Sequence, residues 1–85
     1  MKAEFHKKYE LRVLSFHMNL KRVRLERGYT QEKFAEIAGI SANYLSRLES
    51  RKSMKMPSDH MLCWLAYCLD VEPDVLTRID AVLLE

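Results

Sequence analysis

A chain of 85 residues has room for one domain with a small core. Two glycines and two prolines among many Leu, Ala, Glu, Lys and Arg point to an all-α fold with short connections. No stretch approaches the ~20 apolar residues of a membrane helix. The start, Met1-Lys2-Ala3-Glu4-Phe5-His6-Lys7-Lys8, lacks the apolar region of a signal peptide, so a cytoplasmic protein without a membrane partner is expected. The net charge of +2 conceals a division along the chain. Residues 1–56 hold 13 Lys/Arg against 6 Asp/Glu, whereas residues 57–85 hold Arg78 against Asp59, Asp70, Glu72, Asp74, Asp80 and Glu85. A polyanion meeting the first two-thirds of the chain would suit that asymmetry.

In chain order, residues 5–14 admit two readings. Tyr9, Leu11 and Val13 alternate with Glu10 and Arg12 as in a strand, while Phe5, Tyr9, Val13, Phe16 and Leu20 line one helical face. Residues 16–27 predict a helix, with Ser15 as N-cap, Gly28 as the C-terminal stop and Phe16, Leu20 and Val23 on one side. Thr30 caps a second helix over residues 31–38, and Ser41 caps a third from Ala42 to about Ser50. Residues 51–57 form a basic loop. Ser58 caps an apolar fourth helix to Leu69, in which Trp64, Tyr67 and the methionines are expected in the core. Cys63 and Cys68, five apart, point about 140° from each other on a helix and cannot pair, so they are expected as small buried hydrophobes. Pro73 suits a first helical position and starts a fifth helix over residues 73–84.

Function is concentrated between Gln31 and Ser50. Two helices that cross steeply over a tight turn need a small residue midway along the first, and Ala35 is there. The turn needs a residue tolerant of positive φ, which Gly39 supplies. Phe34, Ala38, Ile40, Leu45 and Leu48 are spaced to lock the pair to a core. All seven positions fit one register.

These residues resemble the lambda-repressor/Cro-like (XRE) family. The likeness runs through Thr30-Gln31-Glu32-Lys33-Phe34-Ala35-Glu36-Ile37-Ala38-Gly39-Ile40-Ser41 and Tyr44-Leu45-Ser46-Arg47-Leu48-Glu49. It continues through Pro57-Ser58 and Leu62, Leu65, Ala66, Leu69 and Val71, covering about residues 19–76. The resemblance implies a compact five-helix lambda-repressor-like DNA-binding domain over residues 1–85, with a short N-terminal extension (1–15), a helix-turn-helix unit (31–50) and a C-terminal helix (73–84). It also implies a usually dimeric regulator of transcription. The chain departs from the family pattern in a loop between Glu49 and Pro57 about two residues longer than usual. It departs again in Asp70 at a frequent glycine position, in Glu72 as a poor N-cap and in Asp59 at a usually apolar one.

On a helical wheel Leu45 and Leu48 centre the buried face of the third helix. Asn43, Ser46, Arg47 and Ser50 lie opposite, with Ala42 at the edge, and this face holds no acid. Arg47 can pair with guanine and Asn43 with adenine, each through two hydrogen bonds. For phosphates the candidates are Gln31, which the family uses this way, Lys33, Lys52, Lys55, and Arg22 or Arg27. Tyr44 can serve either as a phosphate contact or as a packed aromatic. The resemblance further implies a structural ion pair between Arg24 and Glu49. Val75, Leu76, Ile79, Val82 and Leu83 fall within a ~120° stripe of the fifth helix, and Leu84 points the other way. This apolar excess is expected at a homodimer interface, with residues 5–18 as the next candidate.

An enzyme is not expected. His6, His17 and His60 are scattered without ligand spacing, and no nucleophile–base pair or phosphate-binding glycine loop is present, so neither metal, cofactor nor small-molecule ligand is implied. The expected partners are double-stranded DNA and a second copy of the chain. The remaining alternative is an antitoxin or adaptor whose main partner is another protein.

Overall fold

The computed structural model describes residues 2–84. Five α-helices occur among them: α1 (Lys2–Glu26), α2 (Gln31–Ala38), α3 (Ala42–Leu48), α4 (Asp59–Leu69) and α5 (Pro73–Thr77), followed by a 3₁₀ turn, Ala81–Leu84. The all-α expectation is met. Residues 5–14 are helical rather than extended: they contain no Gly or Pro, are rich in good helix formers, and extend a helix already nucleated by the packed segment behind them. Ser15 is therefore no N-cap. It lies buried within α1, and its hydroxyl accepts from the Asp80 amide at 2.8 Å.

Cap chemistry sets the other boundaries. Thr30, Ser41 and Ser58 each place a side-chain oxygen on the amide three residues on, at 3.0–3.1 Å. Gly28 (φ 79°) and Gly39 (φ 69°) turn left-handed after α1 and α2, and Asp70 does the same after α4 at φ 58°. Glu72 makes no side-chain cap bond before α5.

The fifth helix is much shorter than residues 73–84. The Asn19 amide donates to the carbonyls of Leu76 (3.2 Å) and Arg78 (2.9 Å), and Arg78 is extended at φ −62°, ψ 132°. The Asp80 carboxylate accepts from the Val82 amide and opens the 3₁₀ turn. Side chains of α1 thus take the backbone groups that a continuing helix would have used.

Phe16, Leu20 and Val23 of α1 meet Phe34 and Ala38 of α2, Leu45 and Leu48 of α3, Leu65 and Leu69 of α4, and Leu76 of α5 in one core. α1 packs on α5, α2 on α3 and α4, and α4 on α5. Each side chain as large as Leu buried this way contributes about 1.5–3 kcal/mol. The expected core role of the fourth helix holds for one face only. Trp64 is 40% exposed and Tyr67 77%, their rings stacked at 5.8 Å, although the Trp64 indole still donates to the Ala38 carbonyl at 2.8 Å. Cys63 is exposed rather than buried, and Cys68 is half-buried; both are free thiols. With Ile37, Asp70, Val71 and Glu72 these residues line an open groove.

Candidate nucleic-acid interface

α3 is a two-faced helix. Leu45 and Leu48 are sealed in the core, while Ala42, Asn43, Ser46 and Arg47 are exposed. Ser50 stands apart from them: α3 ends at Leu48, and Ser50 begins the following turn, where its hydroxyl accepts from the Lys52 amide at 3.3 Å. Glu49, acidic and adjacent, is turned inward. Its carboxylate receives Arg24 Nε at 2.6 Å and Nη2 at 2.9 Å, and the two side chains are 5% and 2% exposed. Arg24 also donates to the Tyr29 carbonyl at 2.7 Å. A fork-to-fork ion pair out of water is strong and directional, so it fixes where α3 begins its exit from the core. It also removes from the outer surface a negative charge that would repel phosphates.

Gln31 joins this buried cluster. Its amide nitrogen donates to Glu49 Oε1 at 2.9 Å, so the side chain predicted to hold a phosphate is committed inward. Of the first amides of α2, that of Lys33 is taken by the Thr30 cap, which leaves those of Gln31 and Glu32 as donors at that end. Arg27 is also committed, donating to the Leu69 and Asp70 carbonyls at the end of α4, at 2.8 and 3.2 Å. Arg22 is half-exposed and bonds Glu26 and Asn19, both at 3.0 Å. Lys33, Lys52 and Lys55 are exposed. Tyr44 is partly buried against the core, as a packed aromatic, with the Arg47 guanidinium 5.8 Å from its ring centre. Tyr44, Arg47, Ser53, Lys55 and Met56 line one shallow groove of about 220 Å³, so the loop lysine and the α3 arginine share a surface.

An exposed, acid-free helix beside a basic loop, set by a buried ion pair on a two-helix turn, has the form of a DNA-reading unit. A helix-turn-helix family model (HTH_3) matches residues 20–76, about two-thirds of the chain. The chain belongs to this family. It is an XRE-type helix-turn-helix protein, a DNA-binding transcriptional regulator. No curated protein and no solved structure is significantly similar to it. Among the described residues no helix of this XRE-type chain is long and apolar enough to cross a membrane.

Some polar residues that hold the XRE-type unit together escaped sequence reasoning. Ser15, His17 and Asn19 are all buried in α1 and all bonded outside it. Their signal was weak but present: three polar residues at alternate positions interrupt an otherwise apolar run, and Ser15 and Asn19 share the face that meets α5. Of the proposed interface residues, Leu76 is fully buried within the chain and Val75 is packed against the core, because their side of α5 is turned onto α1 and α4.

Proposed function

We propose that the protein recognises a pseudo-palindromic double-stranded DNA operator as a homodimer, as a phage-type repressor or restriction–modification controller does, in the cytoplasm at the nucleoid. The carrying observation is the outer face of α3. Ala42, Asn43, Ser46 and Arg47 are exposed on it for base edges; for phosphates, Lys55 shares a groove with Arg47, and Lys33 and Lys52 are exposed on α2 and the loop. No catalytic or cofactor role is part of this reading.

Support for a dimer comes from apolar surface that one chain leaves open. Val82 and Leu84 are 63% and 66% exposed, with Ile79 and Leu83 half-buried beside them. Phe5, Tyr9 and Leu25 of α1 are exposed too. Leu11, Leu14, Met18 and Leu25 recur along α1 at spacings of 3, 4 and 7, the spacing of a helix-pairing seam. The interface thus draws on the C-terminal turn and on α1 rather than on Leu76. Sedimentation equilibrium at micromolar concentration is expected to give a dimer, and Met18→Glu a monomer with weakened operator binding. A wild-type monomer, both free and on DNA, rules the dimer out.

A second reading, an antitoxin or adaptor whose main partner is a protein, draws on the exposed Trp64–Tyr67 groove rimmed by Asp70 and Glu72. A stoichiometric protein partner together with no retardation of any DNA would favour it.

A further inference from the structure

The loop that follows α3 is tied to α1 through one buried histidine. We propose that His17 is a positioning residue for DNA binding, one that fixes the Ser50–Ser53 turn so that Lys52 and Lys55 meet phosphates while Arg47 meets bases. The proposal rests on the DNA-binding reading and adds a part to it.

His17 is fully buried and both of its ring nitrogens are engaged. A carbonyl can only accept, so Nδ1–H donates to the Leu48 carbonyl at the last residue of α3. That carbonyl is one of those a helix end leaves without an internal partner. Nε2 meets the Ser53 hydroxyl at 3.2 Å, and the same hydroxyl lies 3.0 Å from the Ser50 carbonyl, which also receives the Ser53 amide at 3.2 Å. With Nδ1 carrying the proton, Nε2 can accept from the Ser53 hydroxyl, which links the ring to the turn.

Two observations connect this knot to the basic loop. Lys52 lies inside the closed turn, its amide on the Ser50 hydroxyl at 3.3 Å. Met54, directly after the anchored serine, is left-handed at φ 50°, a conformation that costs a non-glycine residue and persists only where its neighbours are held. Lys55 follows it and lines the same groove as Arg47 and Ser53. Released from His17, the loop relaxes at Met54 and carries Lys55 away from Arg47. A leucine at position 17 could occupy the space but would leave the Leu48 carbonyl and the Ser53 hydroxyl without their partner; the hold on the turn itself is made from the Nε2 position.

The experiment measures anisotropy of a labelled random-sequence duplex of roughly 30 base pairs, titrated with the full chain between about 50 and 200 mM salt. The wild type is expected to show a steep fall of log affinity with log salt. Ser53→Ala and His17→Asn, whose amide reaches only the Nδ1 position, are expected to flatten the slope by about one to two, the loss of one or two phosphate contacts at ~0.9 each. His17→Gln, which reaches the Nε2 position, is expected to restore the wild-type slope. In a Lys52→Ala/Lys55→Ala background Ser53→Ala is expected to change nothing further. A wild-type slope in Ser53→Ala, or a further loss in the double-lysine background, overturns the proposal while leaving DNA binding intact. Ser53→Ala decides alone if His17→Asn does not fold. A flat wild-type plot overturns the DNA-binding reading itself.

Discussion

The Arg24–Glu49 pair joins folding to function in two side chains. Removing one partner of a buried pair strands the other charge away from water, at about 3–5 kcal/mol. Arg24→Ala is therefore expected to lower the melting temperature by more than ~10 °C for a domain of this size. Replacing both partners by apolar residues of similar volume is expected to recover much of that loss, since two absent charges need no solvent. An unchanged melting curve for Arg24→Ala would show that the pair is solvated. On the outer face the roles separate. Arg47→Ala is expected to remove about 1–3 kcal/mol of base discrimination, whereas Lys52→Ala weakens all sequences alike; competition binding with operator and random DNA measures both. The two thiols separate as well. Burial pushes the Cys68 thiol up from its ordinary pKa while Cys63 is exposed. Mass spectrometry after brief alkylation at mildly alkaline pH is expected to find Cys63 modified first, and preferential labelling of Cys68 would contradict its burial.

Helix boundaries were legible where a cap or a stop is written locally. Thr30, Ser41, Ser58 and Gly39 behave as their chemistry dictates. The αL geometry after α4 falls on Asp70, a residue less suited to it than the glycine frequent there in the family. Asp70→Gly is expected to raise the melting temperature by a few degrees, relieving a left-handed cost of about 1–2 kcal/mol, less the extra flexibility of the unfolded chain. Unchanged or lowered stability would show that the Asp70 side chain earns its place. What was not legible depends on partners distant in sequence. The residue 73–84 pattern reads as a helix by periodicity alone, and its carbonyls are taken by side chains of α1 some sixty positions away, Asn19 and Arg12. Gln31 and Arg27 read as free phosphate ligands because nothing near them in sequence reveals Glu49 or the end of α4. The alternation over residues 9–13 lost to helix propagation, which a short window does not register.

At the scale of the whole molecule the charge division runs along the chain: α1, α3 and the loop after it are basic, while Asp70, Glu72, Asp74 and Asp80 lie from the end of α4 to the turn after α5, and α1 packs directly on α5. On the proposed reading the basic segments would steer the chain to DNA. A helix of seven residues reads few base pairs, so on the proposed dimer reading a second copy related by two-fold symmetry would double the contacts and impose a half-site spacing. Truncation after Arg78 removes the 3₁₀ turn with Val82 and Leu84, and is expected to weaken dimer and operator binding together. Selection of random DNA fragments by the purified full chain, followed by sequencing, tests operator recognition most directly. The expected result is one enriched motif with two inverted half-sites about one helical turn, roughly 34 Å, apart, whose enrichment is lost with Arg47→Ala. No enrichment over the starting pool, or a motif that Arg47→Ala selects equally well, would contradict it.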